Sequence, residues 1–168
     1  MHRVIFVFLA IGACLFGEEA NPRPQFNDFP VKEIYRGKPS IPKLVSQGQR
    51  TFRTMIRHGA KNHVEFAGHY TVPVWGCGTE CVQLAFVDSI TGKVYDVPFS
   101  AVNLPGMWFQ SHDFDAYKKL EFYPDSRLLK FDGCPNERDC GFYDYQMVDG
   151  KGLILVRKEL LPNQYQPE

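Results

Sequence analysis

The sequence predicts an α+β fold: two antiparallel β-meanders, in one sheet or a sheet pair, covered by one helix and stapled by two disulfides. Three observations carry this. Four cysteines stand in short-range pairs, Cys77 with Cys81 and Cys134 with Cys140. A single helical pattern, about Leu44 to Ala60, precedes a chain that reads as strand and turn from Glu65 onward. That β-rich part also repeats itself. Each half holds a strand, a Gly-Cys…Cys loop, a strand ending in Val-Asp, a Gly-Lys turn and a closing strand, offset by about 57–60 residues.

Met1-His2-Arg3 is a short positive start, and Val4 to Ala13 is an apolar run of signal-peptide length, too short to span a bilayer as a helix. Residues 1–17 are therefore read as a signal peptide. Ile11-Gly-Ala-Cys14 resembles the lipobox of bacterial lipoproteins, in which the cysteine thiol is acylated; ordinary cleavage near Gly17 or Ala20 is the competing route. Both routes place the mature chain in the periplasm or outside the cell; only the lipobox route attaches it to a membrane, through a lipid on Cys14. Residues 18–42, with Pro22, Pro24, Pro30, Pro39 and Pro42, read as an extended leader. Residues 43–168 read as one α+β domain, since about 150 mature residues suit a single core.

The 19 Lys and Arg balance 19 Asp and Glu, so no whole-molecule attraction to nucleic acid or to an anionic membrane is indicated. The distribution is uneven. Lys32, Arg36, Lys38, Lys43, Arg50, Arg53, Arg57 and Lys61 face Glu33 alone, while acids outnumber bases from Glu65 onward. Two readings follow: a basic helix packed beside an acidic sheet, each complementing the other, or a basic partner surface. The first is the more ordinary.

Within the helix, Ser46 and Gln49 fit a capping box. Phe52, Met55, Ile56 and Gly59 recur on one side, and Arg57, His58 and Lys61 crowd the C-terminal end, where cations suit the helix dipole. Strands are expected at 66–75, 82–88, 94–97, 120–123, 127–131, 142–148 and 153–156. Ser89-Ile-Thr-Gly-Lys93, Pro124-Asp-Ser126 and Asp149-Gly-Lys-Gly152 supply turns. The stretch from Ser100 to Lys118 gives no regular signal.

Four cysteines allow three connectivities. Local pairing, Cys77–Cys81 and Cys134–Cys140, is the first choice, because a hairpin end brings Cα atoms a few residues apart within disulfide reach. Crossed pairing between the repeats is the alternative. A Cys77 nucleophile with His69 as base, or a four-cysteine zinc site, needs reduced thiols, which an exported chain does not keep. No metal and no cofactor are expected. No phosphate loop, serine elbow, metalloprotease helix or nucleic-acid motif is present.

If residues 66–75 form a regular strand, His69, Thr71 and Trp75 share one face, while Phe66, Tyr70, Val72 and Val74 share the core face. His69 and Trp75 thereby become candidate binding residues, although a half-buried histidine bonded to its neighbours is the plainer reading of His69. The cysteine loops add Glu80 in the first and Glu137, Arg138 and Asp139 in the second. If the repeats stack in parallel, both loops emerge from the same end of the sheet, as a rigid, mildly acidic edge.

Phe66-Ala-Gly-His-Tyr70, Trp75-Gly-Cys-Gly-Thr-Glu-Cys81, Val87-Asp-Ser-Ile-Thr-Gly-Lys-Val-Tyr95 and Asp125-Ser-Arg-Leu-Leu129 together resemble a family of small exported bacterial proteins, over roughly Arg50 to Val156. That resemblance implies a fold and a compartment and supplies no activity. More weakly, Cys134, Pro135, Asp139, Cys140 and Gly141 resemble the disulfide-closed inhibitory loop of the bacterial inhibitors of vertebrate lysozyme (the Ivy family). This chain lacks that loop's histidine, is a residue longer there, and has Arg138 before the aspartate. The expected function is an exported binding module for a protein partner in the envelope or outside the cell, as an inhibitor or immunity protein against a cell-wall enzyme. The alternatives are a periplasmic hydrolase using His69 and a structural envelope lipoprotein.

Overall fold

The computed structural model describes residues 22–78, 81–99, 102–103, 120–136 and 138–162. The predicted signal peptide and Cys14 lie outside them, as do Glu80, Glu137 and most of the stretch from Ser100 to Lys118.

The expected helix forms as two short consecutive pieces, α1 (Gln47–Thr51) and α2 (Arg53–Gly59). Ser46 caps α1 as the sequence predicts: its hydroxyl accepts from Gln49 N–H at 3.1 Å, and the Gln49 side chain returns to the Val45 and Ser46 amides. The break falls at Phe52, whose φ/ψ of −95°/21° leaves the helical basin while its ring packs 5.0 Å from that of Trp75. Phe52, Ile56 and Ala60 form the inward stripe, with Leu44 from the preceding segment. Met55, expected on that stripe, is exposed; a spacing of four from Phe52 to Ile56 to Ala60 turns position 55 outward.

Among the described residues nine strands follow: β1 (Tyr70–Thr71), β2 (Val74–Gly78), β3 (Cys81–Asp88), β4 (Val94–Asp96), β5 (Val102–Asn103), β6 (Leu120–Phe122), β7 (Leu128–Pro135), β8 (Gly141–Val148) and β9 (Gly152–Leu160). All pairings among them are antiparallel. β3 is the axis of the first meander, bordered by β1 and β2 on one edge and by β4 and β5 on the other. β7 and β8 are the axis of the second, flanked by β6 and β9. The internal repeat is real in this sense: β2-loop-β3-turn-β4 and β7-loop-β8-turn-β9 have the same order of parts.

The predicted strand over 66–75 is not continuous. Phe66 and Tyr70 exchange backbone hydrogen bonds across a tight turn, which Ala67 (φ 47°) and Gly68 (φ 82°) make by entering left-handed conformations. Pro73, which has no N–H to give a ladder, then separates β1 from β2. β5 carried no sequence signal, because two residues are too few to show alternation.

Alternation along β3 sorts the core into two. Val82, Leu84 and Phe86 face the second meander in a large aromatic core with Tyr70, Tyr95, Phe99, Leu129, Phe131, Tyr143, Tyr145 and Met147. Ala85 and Val87 face the opposite way and pack, with Trp75 and Val94, under the helix. The first meander is thus buried on both faces, and the second is buried on one by the same aromatic core. Within that core the rings of Phe131 and Tyr143 stack at 4.8 Å with an interplanar angle of 7°.

The other face of the second meander is covered by the leader. Arg23 Nε donates to Asp144 Oδ1 at 2.8 Å, and Arg23 Nη2 lies 2.8 Å from Asp132. Arg23 sits over the Phe142 ring, and Lys130 sits over that of Phe26. The leader is extended apart from one 3-10 turn at Phe26–Asp28. It is tied down by Arg127 N–H to Phe29 O and by Val31 N–H to Asp125 O. Its later part bonds to the first meander, Ser40 N–H to Ser89 O and Lys43 N–H to Gly92 O.

Candidate functional site

Both disulfides are local. Cys77 and Cys81 close the β2–β3 connection, with Cα atoms 5.2 Å apart, and Cys134 and Cys140 close the β7–β8 connection at 4.0 Å. With the four sulfurs paired, none serves as a thiolate nucleophile or zinc ligand. Cross-linking loops this small removes only about 2 kcal/mol of unfolded-chain entropy each. Holding loop shape is the greater effect.

Register decides where the two loops stand. Asn103 of β5 pairs with Cys81 on one side and with Cys134 on the other. Two strand spacings of about 4.8 Å therefore separate the loops, so they lie side by side about 10 Å apart. At the second loop Asn136 (φ 56°) and Asp139 (φ 49°) take left-handed conformations that shape the tip. Tyr143 donates its hydroxyl to the Asp139 carbonyl, and Lys158 reaches the Asp139 carboxylate at 3.1 Å. Burial first, then the neighbouring Asp139 carboxylate and Tyr145, pushes the Tyr143 hydroxyl up to about 12, so it remains a donor at any ordinary pH. Arg138 and Asp139 are exposed at the tip, and the Arg138 amide is bonded to Pro135 O.

The two remaining candidates separate. Trp75 is 8 % exposed and lies beneath the helix against Phe52, its Nε1–H donating to Gln83 at 3.0 Å. It does not edge an open site, because β2 turns the odd positions of that segment toward α2, and Thr71 is likewise buried. His69 sits far from the cysteine loops along the strands, in the turn before β1. Its Nε2 lies 3.6 Å from Asp149, and its ring packs 4.3 Å from that of Tyr70. This is the half-buried, neighbour-bound histidine of the plainer reading.

Asp149 organises that second cluster. Tyr70 donates to its carboxylate at 3.0 Å, Tyr95 Oη accepts from the Gly150 amide at 3.2 Å, and Lys93 Nζ donates to Gly150 O at 3.2 Å. Burial first and Asp149 second drive the Tyr70 hydroxyl far above its ordinary value. The cluster fastens the β8–β9 turn to the first meander. Among the described residues the side-chain partner of His69 is a carboxylate, and no serine or threonine hydroxyl is bonded to it.

A third feature was signalled by the sequence only as charge. All eight bases from Lys32 to Lys61 are exposed, and among the described residues none forms an ion pair with a carboxylate. Among the described residues the expected complement of basic helix and acidic sheet forms no ion pair. The face that the helix turns to the sheet is apolar, and its cations point to solvent. Lys38, Arg57 and Lys61 line a cavity of about 350 Å³ between the leader and the end of α2, with Ser40, Ile41 and Ala60.

The fold and its two closed loops define a disulfide-stapled α+β protein of two antiparallel meanders. Among the described residues no helix is long and apolar enough to cross a membrane. No protein family, curated protein or solved structure matches the chain at a significant level.

Proposed function

We propose that this is an exported binding protein that docks its paired disulfide loops on a protein partner, acting as an inhibitor or immunity protein toward an enzyme of the cell envelope. One observation supports the reading above others: the pairing of Asn103 with both Cys81 and Cys134, which sets two covalently closed loops beside each other. Loops already ordered before contact lose little conformational entropy on binding, and more of the contact energy appears as affinity. Arg138 and Asp139 stand exposed at the tip of one loop, and arginine is the charged residue most often central to such contacts. Two local disulfides also favour an oxidising compartment, the periplasm or the exterior.

Inhibition assays against a panel of lysozymes and cell-wall amidases test this. The protein is expected to inhibit one member, and Arg138→Ala or Glu137→Ala, or reduction of the disulfides, is expected to relieve the inhibition at least tenfold. Absence of inhibition across the panel, or inhibition indifferent to both substitutions and to reduction, would remove the proposal. The hydrolase alternative rests on His69, whose imidazole lies 3.6 Å from Asp149 and, among the described residues, is bonded to no serine or threonine hydroxyl.

A further inference from the structure

The unpaired basic face is not purely charged. Between the leader and α1 the chain alternates exposed and partly buried positions: Ile41, Lys43 and Val45 point outward, while Pro42 and Leu44 point inward. Ile41 is 81 % exposed and Val45 72 %. Ile90, 52 % exposed in the β3–β4 turn, is brought alongside by the hydrogen bond from Ser40 Oγ to its carbonyl at 2.7 Å. Cations border these aliphatic side chains. Arg50 donates to the Val45 carbonyl, and Lys38, Arg57 and Lys61 surround the cavity beneath Ile41.

We propose that this face docks the protein on a lipid bilayer bearing anionic headgroups. Lys38, Arg57 and Lys61 receive a headgroup phosphate in the cavity, and Ile41, with Val45 and Ile90, enters the acyl boundary. Charge complementarity selects the partner's sign, because eight bases are exposed and none of them forms an ion pair among the described residues. The aliphatic chains select its class. A nucleic acid would call for exposed rings on which bases stack; no aromatic residue lines the cavity, and Tyr35, in the same segment, is folded against Gly37. Bulky aliphatic side chains ringed by Lys and Arg are the composition of a surface that lies in a membrane interface. Each basic residue held at an anionic surface contributes roughly a fivefold gain in partition. Zero net charge does not oppose this, since attraction at a bilayer is felt within about 10 Å and only one face comes that close.

The test is flotation of the purified protein with vesicles of phosphatidylcholine alone and with vesicles containing phosphatidylglycerol. Only the ratio between the two is read, so any affinity of the apolar N-terminal run for both cancels. The protein is expected to favour the anionic vesicles. The triple substitution Lys38→Gln, Arg57→Gln and Lys61→Gln is expected to lower that preference about a hundredfold. Ile41→Ser is expected to lower binding to anionic vesicles several-fold while leaving the salt dependence unchanged. Lys158→Gln, on β9 beside the second cysteine loop at the far end of the strands, serves as the control. All these side chains are exposed, so unchanged melting curves establish that the variants are folded. Equal partition into both vesicles, or a preference untouched by the triple substitution, overturns the proposal. So does binding that millimolar inorganic phosphate displaces and Ile41→Ser does not affect, for that result describes a soluble-anion site.

Discussion

Replacing Arg23 by alanine is expected to loosen the leader from the second meander and to lower the stability of the whole domain by about 2 kcal/mol, from the following terms. Arg23 Nε and the wholly buried Asp144 carboxylate form a charged hydrogen bond of 2.8 Å, a class worth about 1.5–3 kcal/mol. The guanidinium over Phe142, at 5.4 Å, adds about 0.5–1 kcal/mol. The Asp132 contact is partly exposed and adds less than about 1 kcal/mol. Against these stands relief of Asp144, which retains Arg157 at 3.8 Å and gains water through the space vacated. For a domain of this size the net loss corresponds to a fall in Tm of roughly 4–8 °C. Urea unfolding at neutral pH reads the global effect. Hydrogen exchange of the Arg127 and Val31 amides, bonded to Phe29 O and Asp125 O, reads the leader itself. Burial alone would lower the pKa of Arg23, but its bonds to Asp132 and Asp144 outweigh this and hold it above its ordinary value. It is therefore charged throughout the accessible range. Arg23→Lys should fall between the two, because an ammonium cannot offer the planar fork that meets two carboxylates at once. If Arg23→Ala changes stability by less than about 0.5 kcal/mol and leaves both amides equally protected, the leader is not part of the cooperative unit and the reasoning is wrong.

Two further perturbations probe the layers beneath. Gly59→Ala, ordinarily favourable in a helix, places a Cβ 2.8 Å from Pro73 Cα and is expected to destabilise by about 1–3 kcal/mol; a more stable variant by urea titration would show that α2 is free to shift. Tyr143 has a folded pKa of about 12 against an ordinary 10. The folded chain therefore holds that proton more tightly, and stability is level below pH 10 and falls between 10 and 12. Tyr70 and Tyr145 are raised as well and act in the same direction. Tyr143→Phe should make the alkaline decline in urea midpoint shallower, and an unaltered slope would contradict the assignment.

The cysteine spacing, the capping box at Ser46 and the turn glycines determined the local structure, because each acts over a few residues and its energetics are written in the chain. So did alternation along β3: Val82, Leu84 and Phe86 against Ala85 and Val87 already specify two faces, both apolar. What the sequence alone could not reach depended on pairs far apart in it. The two-residue strand β5 has no periodicity to read, yet its register sets the two disulfide loops beside each other. Trp75 looked like an edge residue until a helix some 20 positions earlier covered it. Asp149 and Asp144 were ordinary acids in a turn and a strand until Tyr70 and Arg23 reached them from across the fold. The basic stretch was legible as charge; that its cations meet no carboxylate among the described residues was not, because such meetings are decided by which face of the helix the apolar core claims.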